Sequence, residues 1–226
     1  MSNFKILRTS IPIFTIGDST TGKTSIISVY SGNPFQQNMT STIGIDYFVK
    51  SITLPNGKNC SLKLWDTAGQ ECYRSVALKN VKVSMGIILV YDITSNKSFK
   101  NIKNWINEIS NTININEIPL LFLGNKTDLQ KERDVETEEG EKLADEYKGL
   151  FFETSAKKNK NLDNAFKALI DKIYEKNINQ FNIDNNNNKE IIQNNDDIQS
   201  NQNQNINLNT EQLKKHKSSS KKKYFC

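Results

Sequence analysis

A glycine-rich segment near the N-terminus constrains the fold of this 226-residue chain more than any other feature. Residues 17–24 read Gly-Asp-Ser-Thr-Thr-Gly-Lys-Thr, which fits the pattern G-x-x-x-x-G-K-[ST]. The apolar run 11–16 before it predicts a strand, and residues 23–31 predict a helix. In this setting the glycines let the backbone wrap around phosphate oxygens, and N–H groups at the helix N-terminus favour an anion. The segment therefore predicts a site for a nucleoside triphosphate.

The residue types of this segment suit a triphosphate with its metal ion. Lys23 can neutralise charge on the β- and γ-phosphates, and the Thr24 hydroxyl can coordinate Mg²⁺. The motif does not choose the base, so a P-loop kinase or ATPase stays open at this step. The nucleotide-binding residues predicted here are Gly17, Asp18, Ser19, Thr20, Thr21, Gly22, Lys23, Thr24 and Ser25.

Short apolar runs alternate with amphipathic segments over residues 1–176. This alternation predicts an α/β fold, a mostly parallel six-stranded sheet with one antiparallel edge strand and helices on both faces. Ligands of such sheets bind at the carboxyl ends of the strands. The antiparallel strand follows from a hairpin, because Pro-Asn-Gly-Lys at 55–58 makes a tight turn. Strands are predicted at 11–16, 45–54, 60–65, 85–91, 120–123 and 150–154, and further helices at 95–110, 137–147 and 161–176.

Beyond residue 176 the composition changes. Residues 177–210 contain 14 Asn and 5 Gln, a content that cannot bury enough apolar surface to fold. We expect a folded domain over 1–176, a disordered Asn/Gln-rich linker over 177–213 and a polybasic tail over 214–226. Six lysines of this tail account for the basic net charge of +5. A basic tail fits an anionic membrane surface, whereas a nucleic-acid-binding domain needs a basic face on the fold.

Cysteine usage and hydropathy argue against a disulfide-bonded, zinc-binding, secreted or membrane-spanning protein. Three widely spaced cysteines argue against a disulfide framework or a zinc site and favour a reducing compartment. The N-terminus lacks a signal-peptide pattern, and the longest apolar run, 85–91, is too short to span a bilayer. We therefore expect a cytoplasmic protein whose membrane contact comes from outside the fold.

A second motif, Asn125-Lys126-Thr127-Asp128, follows the predicted strand 120–123. A carboxylate at Asp128 can accept from the N1–H and N2–H₂ donors of guanine. Adenine lacks this pair of donors, so a buried Asp128 would be unsatisfied with ATP, and such mismatches are rejected strongly. The stem of Lys126 can lie over the base, and Asn125 can connect this loop to residues 17–24. The motif therefore favours a guanine nucleotide.

Further motifs lie in an order typical of one protein family. With the two segments above, they make residues 1–176 resemble a Ras-superfamily GTPase, most closely the Rab branch. The segments that carry this resemblance are Ser41-Thr42-Ile43-Gly44-Ile45-Asp46-Tyr47, Leu64-Trp65-Asp66-Thr67-Ala68-Gly69-Gln70-Glu71, Tyr73-Arg74-Ser75, 86–92, Asn101-Ile102-Lys103-Asn104-Trp105 and Glu153-Thr154-Ser155-Ala156-Lys157.

The resemblance assigns roles to individual residues of the site. It implies a Mg²⁺ ion held by Thr24, Thr42 and Asp66, with GTP or GDP as the bound nucleotide. Gly69 would sense the γ-phosphate and Gln70, the catalytic residue, would orient the attacking water. Phe35 would stack on the base, although a core position suits this Phe almost as well. The second base-contacting loop would consist of Ser155, Ala156 and Lys157.

The resemblance also implies a switch. Two loops, about 36–47 and 67–82, would be ordered by the γ-phosphate and Mg²⁺ and relax after hydrolysis. Hydrolysis should be slow without a partner, because the chain offers no obvious arginine finger. The partners implied are an exchange factor, a GTPase-activating protein, a prenyl-chaperone and effectors, acting on a monomer in vesicle trafficking. The effector-binding residues implied are Met39, Thr40, Ser41, Thr42, Ile43, Gly44, Ile45, Asp46, Tyr47 and Trp65.

Four departures from the family pattern affect the loops. Thr20 and Thr21 replace a small residue and a Val, Cys72 replaces an Arg, and Asn80 replaces the third aromatic residue of an effector-reading triad. If the backbone at Thr20 has positive φ, its β-branched side chain adds about 1–3 kcal/mol of strain. These changes leave an alternative open, a GTP-binding scaffold with negligible hydrolysis and an altered effector set.

The tail departs from the paired cysteines usual in Rab proteins. A single Cys226 follows Lys221-Lys222-Lys223-Tyr224-Phe225 and does not form a C-a-a-X box. We expect geranylgeranylation of Cys226, with the lysines as the second membrane signal, because one lipid chain gives only marginal binding. This would place the protein peripherally on the cytosolic face of membranes. The alternative is a solvated basic tail with an unmodified Cys.

Overall fold

The structure is a computed structural model that describes residues 10–37, 42, 45–67 and 81–181. Within these residues it contains a six-stranded sheet and five helices. The strands are β1 (Ser10–Ile16), β2 (Ile45–Thr53), β3 (Asn59–Thr67), β4 (Gly86–Asp92), β5 (Leu120–Asn125) and β6 (Leu150–Glu153). The helices are α1 (Lys23–Tyr30), α2 (Asn96–Ser110), α3 (Thr137–Glu146), α4 (Leu162–Lys176) and α5 (Ile178–Phe181), with 3₁₀ segments at Ile115–Glu117 and Thr127–Glu132.

The strands are arranged in the order β2-β3-β1-β4-β5-β6. β2 lies at one edge and runs antiparallel to β3, while all other neighbouring pairs are parallel. The predicted mostly parallel six-stranded sheet with one antiparallel edge strand is therefore confirmed. Because five strands run in the same direction, their carboxyl ends meet at one edge of the sheet.

The burial of the strands explains why their hydrophobic patterns in the sequence differ. β4 and β5 lie inside the sheet and every residue in them is buried, as expected for continuous apolar runs covered on both faces. From Cys60 to Asp66, β3 alternates between buried and half-buried residues. The hairpin between β2 and β3 closes with a hydrogen bond of 2.8 Å from the Leu54 N–H to the Lys58 carbonyl.

Helices cover both faces of the sheet, as predicted. On one face, core residues of β1, β4 and β5 pack in a cluster with Trp105 and Ile106 of α2 and Leu143 of α3. On the other face a Cβ at Gly86 would touch Ile173 and Leu169 of α4, so this glycine lets the helix approach the sheet closely. α1 packs against α4 through a stacked pair of rings, Tyr30 and Phe166, whose centroids are 3.7 Å apart.

The chain divides into two compact units, Met1–Ile178 and Asn179–Cys226. Helix α5, Ile178–Phe181, lies within residues 177–213, for which the sequence predicts a linker. Ile178 and Phe181 are three residues apart, a spacing that places them on one face of a helix. None of the helices in the described part of the chain combines the length and apolarity needed to cross a bilayer.

Candidate functional site

A cavity of about 460 Å³ lies where the carboxyl ends of the strands meet. The loop between β1 and α1 forms one side of it, and residues that follow β5 and β6 form another. Its lining residues are Ser19, Thr20, Gly22, Lys23, Thr24, Ser25, Phe35, Gln36, Gln37, Thr42, Thr67, Asn125, Lys126, Asp128, Leu129, Ala156 and Lys157. The volume is within the range of small-molecule sites.

Two glycines allow residues 17–24 to form their tight loop. Gly17 has φ of +147° and Gly22 has φ of +92°, a region that side chains rarely adopt. A Cβ at Gly17 would collide with the Val90 carbonyl oxygen, and one at Gly22 with the Asn125 amide. Asn125 Nδ2 in turn donates to the Thr21 carbonyl at 2.9 Å, which is the predicted connection between the two loops.

The Lys23 side chain lies beneath the loop and is buried. Its Nζ donates to the main-chain carbonyls of Gly17 at 2.9 Å and Asp18 at 2.7 Å. Burial lowers the pKa of Lys23 to about 8, and the negative charges of Asp66 and Asp18 partly offset this effect. The site therefore has a cationic group whose charge is disfavoured by burial and would be favoured by a bound anion.

Three oxygens from separate parts of the chain meet next to Lys23. Thr24 Oγ1 donates to Asp66 Oδ2 at 2.7 Å, Thr42 Oγ1 donates to the same oxygen at 3.0 Å, and the two hydroxyls are 2.8 Å apart. The other carboxylate oxygen, Asp66 Oδ1, is buried without a hydrogen-bond partner among the described residues. Burial raises the pKa of Asp66, while both hydroxyls and Lys23 counteract that shift.

This donor set fits a small hard cation. Mg²⁺ prefers oxygen ligands in octahedral geometry and binds through one or two carboxylates, hydroxyls and phosphates rather than through a cage of side chains. The described part of the chain holds no group of three or more His, Cys, Asp or Glu that could bind a metal. A cation here would therefore depend on hydroxyls, one carboxylate and the ligand's phosphates.

The opposite end of the cavity is formed by the loops after β5 and β6. Ser155 Oγ donates to Asp128 Oδ1 at 2.6 Å, and the Ala156 N–H donates to Asn125 Oδ1 at 3.3 Å. Lys126 has φ of +71° and forms an ion pair with Asp92 Oδ2 at 2.6 Å. A carboxylate, an N–H group and an aliphatic stem thus lie together where the sequence predicts the base.

The backbone at Thr20 has φ of +64°, in the left-handed region. A β-branched residue is rarely found there because its Cβ crowds the following carbonyl. Thr20 therefore has the positive φ on which the predicted backbone strain depends. Because Thr20 lines the cavity, this strain lies in the cavity wall.

Most of the predicted site residues in the described part of the chain line the cavity, including Phe35, which is half-buried. Five predicted residues are not part of the lining but hydrogen-bond to residues that are: Gly17, Asp18, Thr21, Asp66 and Ser155. The aromatic pair predicted for effector binding, Tyr47 and Trp65, lies on β2 and β3 with ring centroids 5.3 Å apart. Residues outside the described part are Met39, Thr40, Ser41, Ile43, Gly44, Gly69, Gln70, Cys72, Asn80 and Cys226.

Sequence reasoning missed several residues that shape the site. Asp92, at the end of β4 beside Asn125 of β5, forms an ion pair with Lys126, and no local sequence pattern predicts this contact. Asn101 and Trp105 of α2 both donate to Asp18 Oδ1, although the sequence gives no spacing signal for this contact. The lining residues that were not predicted to bind nucleotide are Gln36, Gln37, Thr67 and Leu129, of which the first three lie in the two predicted switch loops.

Comparisons with known proteins agree with this geometry. The model of the Ras family matches residues 13–175. Ras-related protein Rab-8A from Bos taurus is 47% identical over 154 residues, which cover 68% of this chain and 73% of the relative. Rab-8B from Homo sapiens is 46% identical with the same coverage. Rab-13 from Rattus norvegicus is 44% identical over 68% of this chain and 75% of the relative.

Proposed function

The chain belongs to the Ras family as a small GTPase of the Rab type, and on that premise we propose that the cavity is its guanine-nucleotide site. The chain is a GTP hydrolase, and Rab proteins usually act in vesicle trafficking. We further propose that this protein is a membrane-recruited switch that cycles between GDP-bound and GTP-bound states in that process.

One observation carries the assignment of the site. The oxygens of Thr24, Thr42 and Asp66 approach one another to 2.7–3.0 Å, and the Asp66 charge acts on the buried Lys23 ammonium. A cationic side chain under a glycine loop, next to three hard oxygens, provides what the phosphates and a divalent cation each require. Asp66 Oδ1, which is buried without a partner in the described part of the chain, supports a role for this carboxylate toward a cation.

Thr24, Thr42 and Asp66 would hold Mg²⁺ in this proposal. The ion, when bound, neutralises charge on the phosphate oxygens of the nucleotide. Lys23 would neutralise charge on the phosphates, and the N–H groups of residues 17–24 would donate hydrogen bonds to them. Gln70, by family resemblance, orients the water that attacks the γ-phosphate, while Gly69 senses that phosphate.

The base would lie between Asp128, Lys126 and the Ala156 N–H. Because Ser155 fixes the Asp128 carboxylate at 2.6 Å, the carboxylate is held ready to accept from the two donors on the guanine edge. Asp128→Asn should weaken GTP binding and shift the preference toward xanthosine triphosphate, whose C2 oxygen can accept from the new amide. Unchanged GTP affinity in calorimetry would contradict the base assignment. The control is Glu132→Gln, the same change from a carboxylate to an amide at a nearby residue.

Single-turnover hydrolysis tests the switch. Purified protein loaded with GTP should hydrolyse it slowly, and Gln70→Leu should remove most of this activity, since the glutamine orients the water. Absence of hydrolysis in the unmodified protein would instead support the scaffold alternative. Thr24→Asn should weaken Mg²⁺-dependent GTP binding more than GDP binding.

The switch would be read by partners on the β2–β3 side of the domain. Tyr47 and Val49 of β2 are about half exposed, at 52% and 54%, which supports a protein-binding role for this edge. We assign effector contacts to residues 39–47 and Trp65, and we expect an exchange factor, a GTPase-activating protein and a prenyl-chaperone. Loss of GTP-dependent effector capture in Tyr47→Ala, with unchanged GTP affinity, would support this surface.

Membrane attachment would use the lysines of residues 214–223 and a prenyl group on Cys226. Cys226 lies three residues after Lys223, so a lipid there would act together with the basic run on an anionic leaflet. Protein expressed in eukaryotic cells should partition into detergent, and Cys226→Ser should stay in the aqueous phase. Equal aqueous partitioning of both proteins would exclude the lipid. Cys60→Ser is the matched control, since Cys60 is buried in the fold.

A further inference from the structure

Asp18 connects the phosphate loop (residues 17–24) to a helix that is distant in sequence. Its Oδ1 accepts hydrogen bonds from Asn101 Nδ2 at 2.6 Å and from Trp105 Nε1 at 2.9 Å. Both donors belong to α2, which otherwise packs its apolar face on the sheet. The carboxylate of a loop residue therefore receives two donors from one helix, and a hydrogen bond to a charged acceptor is stronger than a neutral one.

The donors on α2 are themselves held in place. Trp105 is 2% exposed, so the core fixes its ring and directs its N–H toward the loop. Asn101 accepts a hydrogen bond from Asn104 Nδ2 at 2.6 Å through its Oδ1, which fixes the amide and presents its Nδ2 group to Asp18. The helix thus offers two oriented donors at a constant position relative to the sheet.

The main chain of Asp18 carries this anchoring into the loop. Its carbonyl oxygen accepts from Thr21 Oγ1 at 3.0 Å and from Lys23 Nζ at 2.7 Å. The negative charge of Asp18 also favours the Lys23 ammonium against the effect of burial on its pKa. One residue therefore links α2, the fold of the loop and the group that would meet the phosphates.

We propose that α2 is a brace for the phosphate loop, with Asp18, Asn101 and Trp105 as positioning residues for nucleotide retention. This inference rests on the proposed placement of the phosphates at residues 17–24. A loop already held in its binding conformation loses little further freedom when the nucleotide binds. Without the brace the loop is free to open, and bound nucleotide leaves faster.

The test is the dissociation rate of a fluorescent GDP analogue from the Mg²⁺-loaded full chain. Trp105→Phe, which removes the N–H and keeps a large ring, and Asn101→Ala, which removes no core volume, should each speed dissociation roughly three- to tenfold. Asp18→Ala should speed dissociation at least as much. Asp18→Asn should speed dissociation less than Asp18→Ala, because its amide oxygen can still accept both hydrogen bonds but lacks the negative charge. Lys103→Ala, on the exposed side of the same helix, should leave the rate unchanged.

A double-mutant cycle separates positioning from core packing. If Trp105 acts through Asp18, adding Trp105→Phe to Asp18→Ala should produce no further acceleration. Additive effects, or a lower melting temperature for Trp105→Phe with an unchanged dissociation rate, would overturn the brace. If the unmodified protein retains no GDP, the proposed nucleotide site itself is wrong. A different outcome is that the unmodified protein retains GDP in an Mg²⁺-dependent way while the Asp18, Asn101 and Trp105 variants release GDP at the same rate as the unmodified protein. In that case only the brace is refuted.

Discussion

Lys23 experiences opposite influences from the fold and from a bound anion. Burial lowers its pKa to about 8, so in the free protein the amine begins to lose its proton just above neutral pH. Bound phosphates favour the ammonium form, because an opposite charge within a few ångströms stabilises it. Nucleotide binding above about pH 8 must therefore bring a proton to Lys23, and affinity should fall as the pH rises through that value.

Calorimetry of GDP binding in buffers of different ionisation enthalpy measures this proton. We expect little uptake at about pH 7 and clear uptake, below one proton per site, at about pH 8.5. Guanine loses its own N1 proton in more alkaline solution, so the informative quantity is the difference between the unmodified protein and Lys23→Met. The same uptake in both proteins would show that Lys23 is not its source.

Thr20 stores strain in the phosphate loop. At φ of +64° a β-branched residue is unfavourable by about 1–3 kcal/mol, whereas glycine adopts this conformation freely. Thr20→Gly should therefore raise the stability of the GDP-bound protein by about 1 kcal/mol, after subtracting the larger chain entropy of glycine in the unfolded state.

The control for Thr20 is another residue with positive φ. Asn159 has φ of +48°, and Asn tolerates this region because its short polar side chain bonds locally. Asn159→Gly should change the melting temperature of the GDP-bound protein much less than Thr20→Gly. An equal gain in both variants would mean that the side chain of Thr20 adds no special strain.

At the level of the elements, ion pairs of equal length should differ in strength because their burial differs. Arg133, after β5, pairs with Glu153 at the end of β6 through two contacts, of 2.7 Å and 3.0 Å. Lys167 and Asp171 form a pair of 2.7 Å within α4. The side chains of the first pair are 8% and 18% exposed, and those of the second are 75% and 38% exposed.

Arg133→Met should destabilise the fold by about 3 kcal/mol, because it leaves the Glu153 carboxylate partly buried without its cation. Lys167→Met should lower the free energy of unfolding by less than about 0.5 kcal/mol, as is usual for an exposed helical pair. Urea unfolding of the GDP-bound proteins measures both. Similar losses in the two variants would show that burial does not determine the strength of these pairs.

The elements that supply the site could be predicted because each has a local signal. The continuous apolar runs of β4 and β5 predicted strands, and the polar motifs that follow predicted strands indicated one binding edge. Helix α5 was missed because its two apolar residues stand in an Asn-rich segment. The contacts of Asp92 with Lys126 and of Asp18 with α2 join side chains from different elements, and no local pattern encodes such a contact.

In the molecule as a whole, the cation site joins segments that are far apart in the sequence. Thr24 lies in the first turn of α1, Asp66 lies near the end of β3, and Thr42 belongs to neither element. A ligand that binds only the folded arrangement stabilises it by mass action. The stability of the whole domain should therefore depend on the divalent cation, and the residues at these three positions should mediate that dependence.

Removal of Mg²⁺ tests this dependence. Adding EDTA to the GDP-bound protein should lower its melting temperature by roughly 5–10 °C, the shift expected when a ligand present at about 100 times its dissociation constant is lost. Asp66→Ala removes the carboxylate, so its melting temperature should be lower at the outset and should respond little to EDTA. Ser110→Ala is the control, because its hydroxyl donates to the Ile106 carbonyl within α2, away from the three cation-site residues. An EDTA effect of the same size in Asp66→Ala and in the unmodified protein would place the cation elsewhere.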